Sequence, residues 1–287
     1  MLLHRIPARI RSLGTTDVRR VLPAPVHRKV GPWVFLDHFG PEDVPEGGGM
    51  DVRPHPHCAL STVTWLFEGA VEHRDSTGGH AVVQPGEIHW MRAGHGVVHS
   101  ERRPSDPARR ARRAHGLQLW CAHPDGAEEQ EPRFDSTTDL PELEVSGVRV
   151  QLLAGDGWGA ASPVDVTSRL VYALATLRAG QSLALPDHEE RSVYAVSGSF
   201  AVDGDAGDPH ELLVVDRAAR VVTARTDAVV AILGGDAIGP RHLWWNFVHS
   251  DPGRLVEQAE RWRRRGFPSV PGDDVEFTPA PNDGPRR

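Results

Sequence analysis

Two cysteines, Cys58 and Cys121, are all that the 287 residues carry. That is too few for a disulfide framework, and no CxxC spacing marks a structural zinc site, so both are expected to be reduced, buried thiols. No apolar run approaches the roughly 20 residues a membrane helix needs. The opening stretch MLLHRIPARI is broken by His4, Arg5 and Pro7 before a signal-peptide core can form. A cytoplasmic chain is therefore expected. Net positive charge is missing too. The balance of 32 Lys and Arg against 39 Asp and Glu leaves −7, which repels a phosphate backbone and disfavours nucleic-acid binding. One local exception, ERRPSDPARRARRAH with Arg102, Arg103, Arg109, Arg110, Arg112 and Arg113, reads as a solvated loop between strands rather than a phosphate-binding patch.

The length suggests two domains, and 29 Gly and 24 Pro cut the chain into short segments. Between them lie STVTWLFEG, HAVVQPGEIHWM, HGLQLWCA, VRVQLLAG, LVYALATL, SVYAVSGSFAV, ELLVVD and DAVVAILGG. These runs are rich in Val, Thr, Leu and aromatics and bounded by turn residues, as are strands of a sandwich or barrel. Only SDPGRLVEQAERWRRRGF reads as a helix: Ser250 or Asp251 can cap it, Leu255, Ala259 and Trp262 recur at helical spacing, and Gly266 can end it. The halves echo one another, since STVTWLFEGAVEH and RSVYAVSGSFAVDG are each strand, glycine turn and strand. A duplicated β-barrel closed by a C-terminal helix is the expected architecture, with domains at 1–145 and 146–287.

Two triplets carry the chemistry. HPH at 55–57 and HSE at 99–101 each place metal-ligating side chains at i and i+2, the same face of a strand. If those strands are neighbours, His55, His57, His99 and Glu101 converge as three imidazoles and a carboxylate. That set suits one divalent first-row metal and leaves positions open for substrate or dioxygen. Iron(II) is the first expectation, with nickel, manganese, copper, cobalt and zinc behind it. The second half offers only the lone His188 in DHEE and no second His-x-Glu, so its copy of the site is expected to be lost. His38, His73, His80, His89, His95, His115 and His123 fall in turn-rich or strand-edge surroundings and read as satisfied or exposed imidazoles. Of these, His95 and His115 are the candidates for orienting a ligand. The Trp residues are core fillers by default, while Phe35, Trp65 and Met91 are the candidates for lining a slot for an aromatic substrate.

Several blocks resemble a known family. GPWVFLDHFGP, RPHPHCALSTVTWLFEGAVEHRDSTGG, QPGEIHWMRAGHGVVHSER and HGLQLW look like the signature blocks of the pirins, bicupins of the cupin superfamily, nearly continuously over residues 30–125. GPRHLWWNFVHSDPGRLVEQAERWRRRGFPSVPGDDVEFTPAP is similar to the C-terminal region of a bacterial pirin-like subgroup. The resemblance implies an all-β fold of two stacked cupin (jelly-roll) barrels, with metal only in the N-terminal one, and puts the family's iron ligands on His55, His57, His99 and Glu101. The chain departs from the family at Cys58-Ala59, where many pirins have Arg-Gly, and at His95, where Arg is common. Several pirins act as quercetin 2,3-dioxygenases, whereas the animal nuclear member is regarded as an iron-dependent transcriptional co-regulator.

The leading expectation is a metal-dependent dioxygenase for quercetin-type flavonols, taking a small aromatic substrate and O2, with Glu101 as ligand and general base. The alternative is a non-enzymatic iron-dependent redox-sensing or regulatory protein with a protein partner. A third is a cupin enzyme acting on another small molecule. A monomer is expected.

Overall fold

The structure is a computed structural model that describes residues 1–13 and 16–285. Strands dominate it, with one short α-helix, Pro252–Arg263. The residues group into two compact units that interleave along the chain. One, the N-terminal barrel, gathers Ser12–Val18, Phe39–Ser136 and Gly239–Arg287; the other, the C-terminal barrel, gathers Met1–Arg11, Arg19–His38 and Thr137–Ile238. A cut at 145/146 is thus not the division between these units. The physical reason is strand pairing across long sequence distances. Leu2–Pro7 pairs antiparallel with Glu211–Val215 and so covers a sheet edge of the C-terminal barrel. The helix packs instead on the hairpin of His242–Trp244 and Phe247–His249, in the N-terminal unit.

The same topology occurs twice. In the N-terminal barrel a four-stranded sheet runs in the order Val52–His57, Val97–Arg102, Val71–Asp75, His80–Val83. In the C-terminal barrel the corresponding order is Ser182–Ala184, Val221–Ala224, Phe200–Val202, Asp205–Gly207. Each faces a longer sheet: Arg133–Thr137, Ile88–Arg92, Leu60–Glu68 and Arg113–Ala122 are consecutive in one, and Glu211–Val215, Glu190–Ser197, Ala228–Gly235 and Leu170–Leu177 in the other. The duplication legible in STVTWLFEGAVEH and RSVYAVSGSFAVDG is therefore structural. Gly198 makes the turn of the second copy at φ +71°, where an added Cβ would come within 2.2 Å of the Asp227 carbonyl oxygen, so only glycine fits.

The two interiors differ. The C-terminal barrel is filled by Val171, Ala173, Val193, Ala195, Phe200, Leu213, Val222, Val230 and Ile232, all essentially inaccessible. The N-terminal barrel mixes apolar clusters, such as Phe39, Leu66, Val71 and Val83, with buried His55, His57, Thr64, His73, Asp75, His99 and Glu101. The helix is capped by Asp251, whose Oδ1 accepts from the Gly253 amide at 2.7 Å, with Pro252 as its first residue. It buries Leu255, Ala259 and Trp262 against Cys58, Val98, Phe247, Phe267 and Val270, worth roughly 1.5–3 kcal/mol for each large side chain. The left-handed residue after its end is Arg265, φ +57°, one position before Gly266. No helix among the described residues is long and apolar enough to cross a membrane.

Candidate metal centre

Strands Val52–His57 and Val97–Arg102 are hydrogen-bonded neighbours, antiparallel, with His99 directly opposite His55 and Val97 opposite His57. Period-two alternation then turns all three imidazoles to one face. One ring nitrogen from each of His55, His57 and His99 lies within 4.8 Å of the other two, and all three residues are buried. The rings lie 4.4–5.0 Å apart between centroids, at steep angles to one another.

The orientation of each ring is fixed from behind. His55 Nδ1 donates to the Arg53 carbonyl at 2.8 Å and His57 Nδ1 to the Asn246 carbonyl at 2.9 Å, leaving Nε2 of each as the remaining ligand atom. His99 Nε2 is buried without any hydrogen-bond partner, which a metal bond would satisfy. Burial pushes the His55 imidazolium pKa down to about 4. It likewise drives His57 and His99 well below the usual value, with the neighbouring imidazoles adding to the effect. The rings are neutral at pH 7, the form that ligates. The donor set fits a divalent first-row metal.

Glu101 stands apart from this histidine group. Its carboxyl is fully buried, and burial raises its pKa to about 7, restrained by a hydrogen bond with Thr64. Thr64 in turn donates to Gln118 Oε1 at 2.8 Å. The pairing of the two metal-site strands shifts between His99 and Glu101, so Glu101 opposes Val52. The shift falls at Pro54, which has no amide hydrogen to give the ladder.

Family-model matches fall on both halves: residues 15–121 match Pirin, and residues 172–268 match the Pirin C-terminal cupin domain. A pirin-like protein of Caulobacter vibrioides is 42% identical over 96% of this chain and 97% of its own. The chain belongs to the pirin family. A Pseudomonas aeruginosa relative, provisionally named as a quercetin 2,3-dioxygenase, is 37% identical over 91% of this chain and 84% of its own. The crystal structure of a quercetin 2,3-dioxygenase from Acinetobacter baumannii superposes with a TM-score of 0.91 at 31% identity, covering 100% of this chain and 97% of that one. This protein is thus a bacterial-type bicupin pirin, mostly β with two cupin domains.

The other expected site residues of this pirin are scattered. Met91 opposes Thr62 and clusters with Ala93, Val97 and Phe134, on the side of its sheet that Thr64 shares. Trp65, next to Thr64 on one strand, points to the opposite face. Phe35 belongs to the C-terminal unit, where the Arg20 guanidinium sits 4.5 Å from its ring centre. The histidines expected to orient a ligand also lie elsewhere: His95 pairs with Glu131 at 3.2 Å, and His115 packs against Phe67.

Two residues that the sequence reading passed over do touch the cluster. Trp120 stands edge-on to His57 with centroids 5.0 Å apart. His73, expected to be an ordinary strand-edge imidazole, is buried with its Nδ1 3.5 Å from His99 Nδ1. The signal for His73 was present in its His-x-Asp spacing, the parity that marks HPH. Of the departures from the family pattern, Cys58 is buried, with burial raising its thiol pKa far above the ordinary value, so it is inert as a nucleophile. Ala59 adopts φ +55°, a backbone conformation that suits the glycine many pirins carry there.

Proposed function

We propose that this pirin is a metal-dependent dioxygenase acting on flavonols of the quercetin type, with one divalent ion, iron(II) first, held by His55, His57 and His99. Glu101 completes the ligand set in the loaded protein and acts as general base. The observation that carries the reading is three buried, neutral imidazoles converging on one point, with the buried carboxyl of Glu101, pKa about 7, two residues beyond His99 on the same strand. A general base works best when its pKa lies near the operating pH. The two relatives named for quercetin 2,3-dioxygenase point to the same substrate class.

A divalent ion bound there supplies Lewis acidity that lowers the pKa of a hydroxyl placed on it. The chain's own contribution is positional and protonic. The carbonyls of Arg53 and Asn246 hold two rings, and the Glu101 carboxylate accepts the flavonol 3-hydroxyl proton while Thr64, itself bonded to Gln118, fixes its position. The conversion implied by the family consumes flavonol and O2 and releases carbon monoxide. We place the protein in the cytoplasm as a monomer.

The test is anaerobic metal analysis followed by O2 uptake and carbon monoxide release across a flavonol panel. Near-stoichiometric metal with uptake on flavonols bearing a free 3-hydroxyl is expected. Bound metal without uptake on any flavonol would move the reading to an iron-dependent regulatory protein, and absence of metal would overturn it.

A further inference from the structure

The three imidazoles of the metal cluster are not held alike. His55 and His57 donate to neutral backbone carbonyls, whereas the nitrogen of His99 that faces away from the cluster meets a second imidazole, His73 Nδ1, at 3.5 Å. His73 is itself engaged on its far side, where Nε2 lies 2.9 Å from Asp75 Oδ2. Asp75, His73 and His99 are all nearly inaccessible, and neighbouring strands bring them into register, with Asp75 directly opposite His99 and His73 opposite Glu101.

Around this line the structure is tightly fitted. Phe134 stacks on the His73 ring, centroids 4.3 Å apart and planes 10° from parallel. The second carboxylate oxygen of Asp75 accepts from the Thr77 amide at 2.8 Å, the Thr77 hydroxyl at 2.6 Å and the Gly79 amide at 3.1 Å. A Cβ on Gly79 would come within 2.3 Å of Asp75 Oδ2 and 3.0 Å of Phe134 Cβ, so the turn is shaped around the carboxylate and the stacked ring. Burial alone would raise the Asp75 pKa, but the hydrogen bonds from His73 and Thr77 reverse that and hold it below the usual carboxylate range.

For two neutral imidazoles ending on the Asp75 carboxylate, these contacts leave one self-consistent arrangement of protons. Asp75 is an acceptor only, so His73 must carry its hydrogen on Nε2, and its Nδ1 is therefore a lone pair. That lone pair accepts from His99 only if His99 carries its hydrogen on Nδ1, which leaves Nε2, the buried nitrogen without a partner, free for a metal. The opposite tautomer of His73 would aim a lone pair at a carboxylate.

We infer that His73, backed by Asp75, is a positioning residue that fixes the tautomer and ring orientation of His99 and makes it the most electron-donating of the three metal-binding imidazoles. The inference rests on the reading of His55, His57 and His99 as the metal set. It explains why a His-x-Asp segment lies buried on the strand next to His-x-Glu without contributing a ligand atom of its own. Two ligands braced by carbonyls and one by a histidine–aspartate pair give a site with one strong, directed donor.

The experiment is Co(II) titration of the metal-stripped full chain, followed by visible absorption, in wild type and three variants. His73→Phe keeps the stack on Phe134 and removes the acceptor. His73→Gln restores an acceptor. Asp75→Asn presents an N–H to His73, drives it to the other tautomer and sets two ring N–H groups against each other. Co(II) affinity is expected to fall about 10–100-fold in His73→Phe and Asp75→Asn, the usual cost of losing a partner behind a ligand. An altered Co(II) band pattern and substantial recovery in His73→Gln are expected as well, together with a His99 Nδ1–H signal in 15N-histidine spectra of the Zn(II)-loaded wild type. Affinities within twofold of wild type and unchanged bands in both Asp75→Asn and His73→Phe would overturn the inference, and Asp75→Asn decides alone if His73→Phe does not fold. Wild type that binds no Co(II) would instead overturn the metal set itself.

Discussion

The two barrels share a topology and differ in what their four-stranded sheets carry. In the N-terminal barrel the first two strands of the four-stranded sheet oppose His55 to His99. In the C-terminal barrel the same two strands oppose Leu183 to Val222, both fully buried among aliphatic neighbours. Corresponding strand pairs thus carry an opposed histidine pair in one barrel and an aliphatic core pair in the other, and the surroundings follow suit. Around the histidines stand the Arg53 and Asn246 carbonyls, Trp120 and the His73–Asp75 pair. Around Leu183 and Val222 stand Ala175, Phe200 and Val202. His188, the imidazole that a reading along the chain offered as the vestige of a second site, lies outside those strands and bonds the Asp156 carbonyl at 2.9 Å. Among the described residues the three-histidine group is the one cluster able to hold a metal.

The largest expected effect tests what the polar interior does that the apolar one cannot. Glu101→Gln keeps the shape and the hydrogen bond to Thr64 but removes the base. Flavonol turnover is expected to drop by roughly 10²–10⁴ while metal content stays at the wild-type level. Steady-state O2 uptake alongside metal analysis reads both quantities, and a fully active Glu101→Gln variant would remove Glu101 from its role.

A second prediction tries to abolish the difference between the barrels. Leu183→His with Val222→His writes the opposed imidazole pair into the C-terminal barrel. Two unpartnered polar rings in an aliphatic core should cost roughly 2–5 kcal/mol in unfolding free energy, visible in urea melts. No extra equivalent of metal is expected, because no carbonyl or carboxylate stands ready to orient the new rings. A second metal equivalent in the double variant would show that the ligand pair alone makes the site.

These contrasts mark what the sequence made legible. HPH and HSE pointed to the three-histidine group because side chains on a strand alternate with a period of two, so spacing alone reports a shared face. The partnership of the two strands was a conditional expectation, and it holds. Three features stayed hidden. The displacement of Glu101 from the histidine group depends on a ladder shift at Pro54, a property of pairing rather than spacing. The interleaving of the units depends on Leu2–Pro7 finding Glu211–Val215 some two hundred residues away. The aliphatic character of the corresponding strand in the C-terminal barrel stayed hidden because SLA is only three residues long and His188, the conspicuous imidazole of that half, lies outside it.

A third, smaller effect concerns the strand that carries His99. Its last residue, Arg102, is gripped through two nitrogens by Asp273 at 2.8 and 2.9 Å, with Glu276 and Asp51 beside it. Arg102 holds Asp273 below the usual carboxylate range, against the opposing effect of burial. A carboxyl whose pKa is depressed on folding stabilises above its unfolded value near 3.9 and loses that contribution as pH falls through the folded value. Asp273→Asn should therefore cost about 1 kcal/mol at pH 7, discounted for partial exposure. The gap between wild type and variant should close as the pH is lowered below about 4. The C-terminal barrel supplies the control: the Arg217–Asp187 pair is exposed on both sides, so Asp187→Asn should change the melt little at either pH. A gap that persists undiminished at low pH would separate Asp273 from this role.

The smallest effect lies at the end of the other metal-site strand. Ala59 follows Cys58 at φ +55°, and its amide donates to the Gly94 carbonyl at 2.8 Å while its own carbonyl accepts from the His123 amide at 3.0 Å. The conformation is therefore locked by hydrogen bonds on both sides and cannot relax. An alanine in this region carries a strain of about 1 kcal/mol that glycine does not. Glycine, however, gives back part of the gain by loosening the unfolded chain, by about 0.4–1 kcal/mol. Ala59→Gly should thus stabilise the protein by no more than about 0.5 kcal/mol, a rise of a degree or two at the melting temperature for a chain of this size. Metal affinity should be unaffected, because His57 is braced by Asn246 and not by this turn. A stability loss beyond about 1 kcal/mol would mean that the Ala59 methyl packs favourably enough to outweigh its backbone strain, and that this chain's departure from the family glycine is compensated in the packing of its N-terminal barrel.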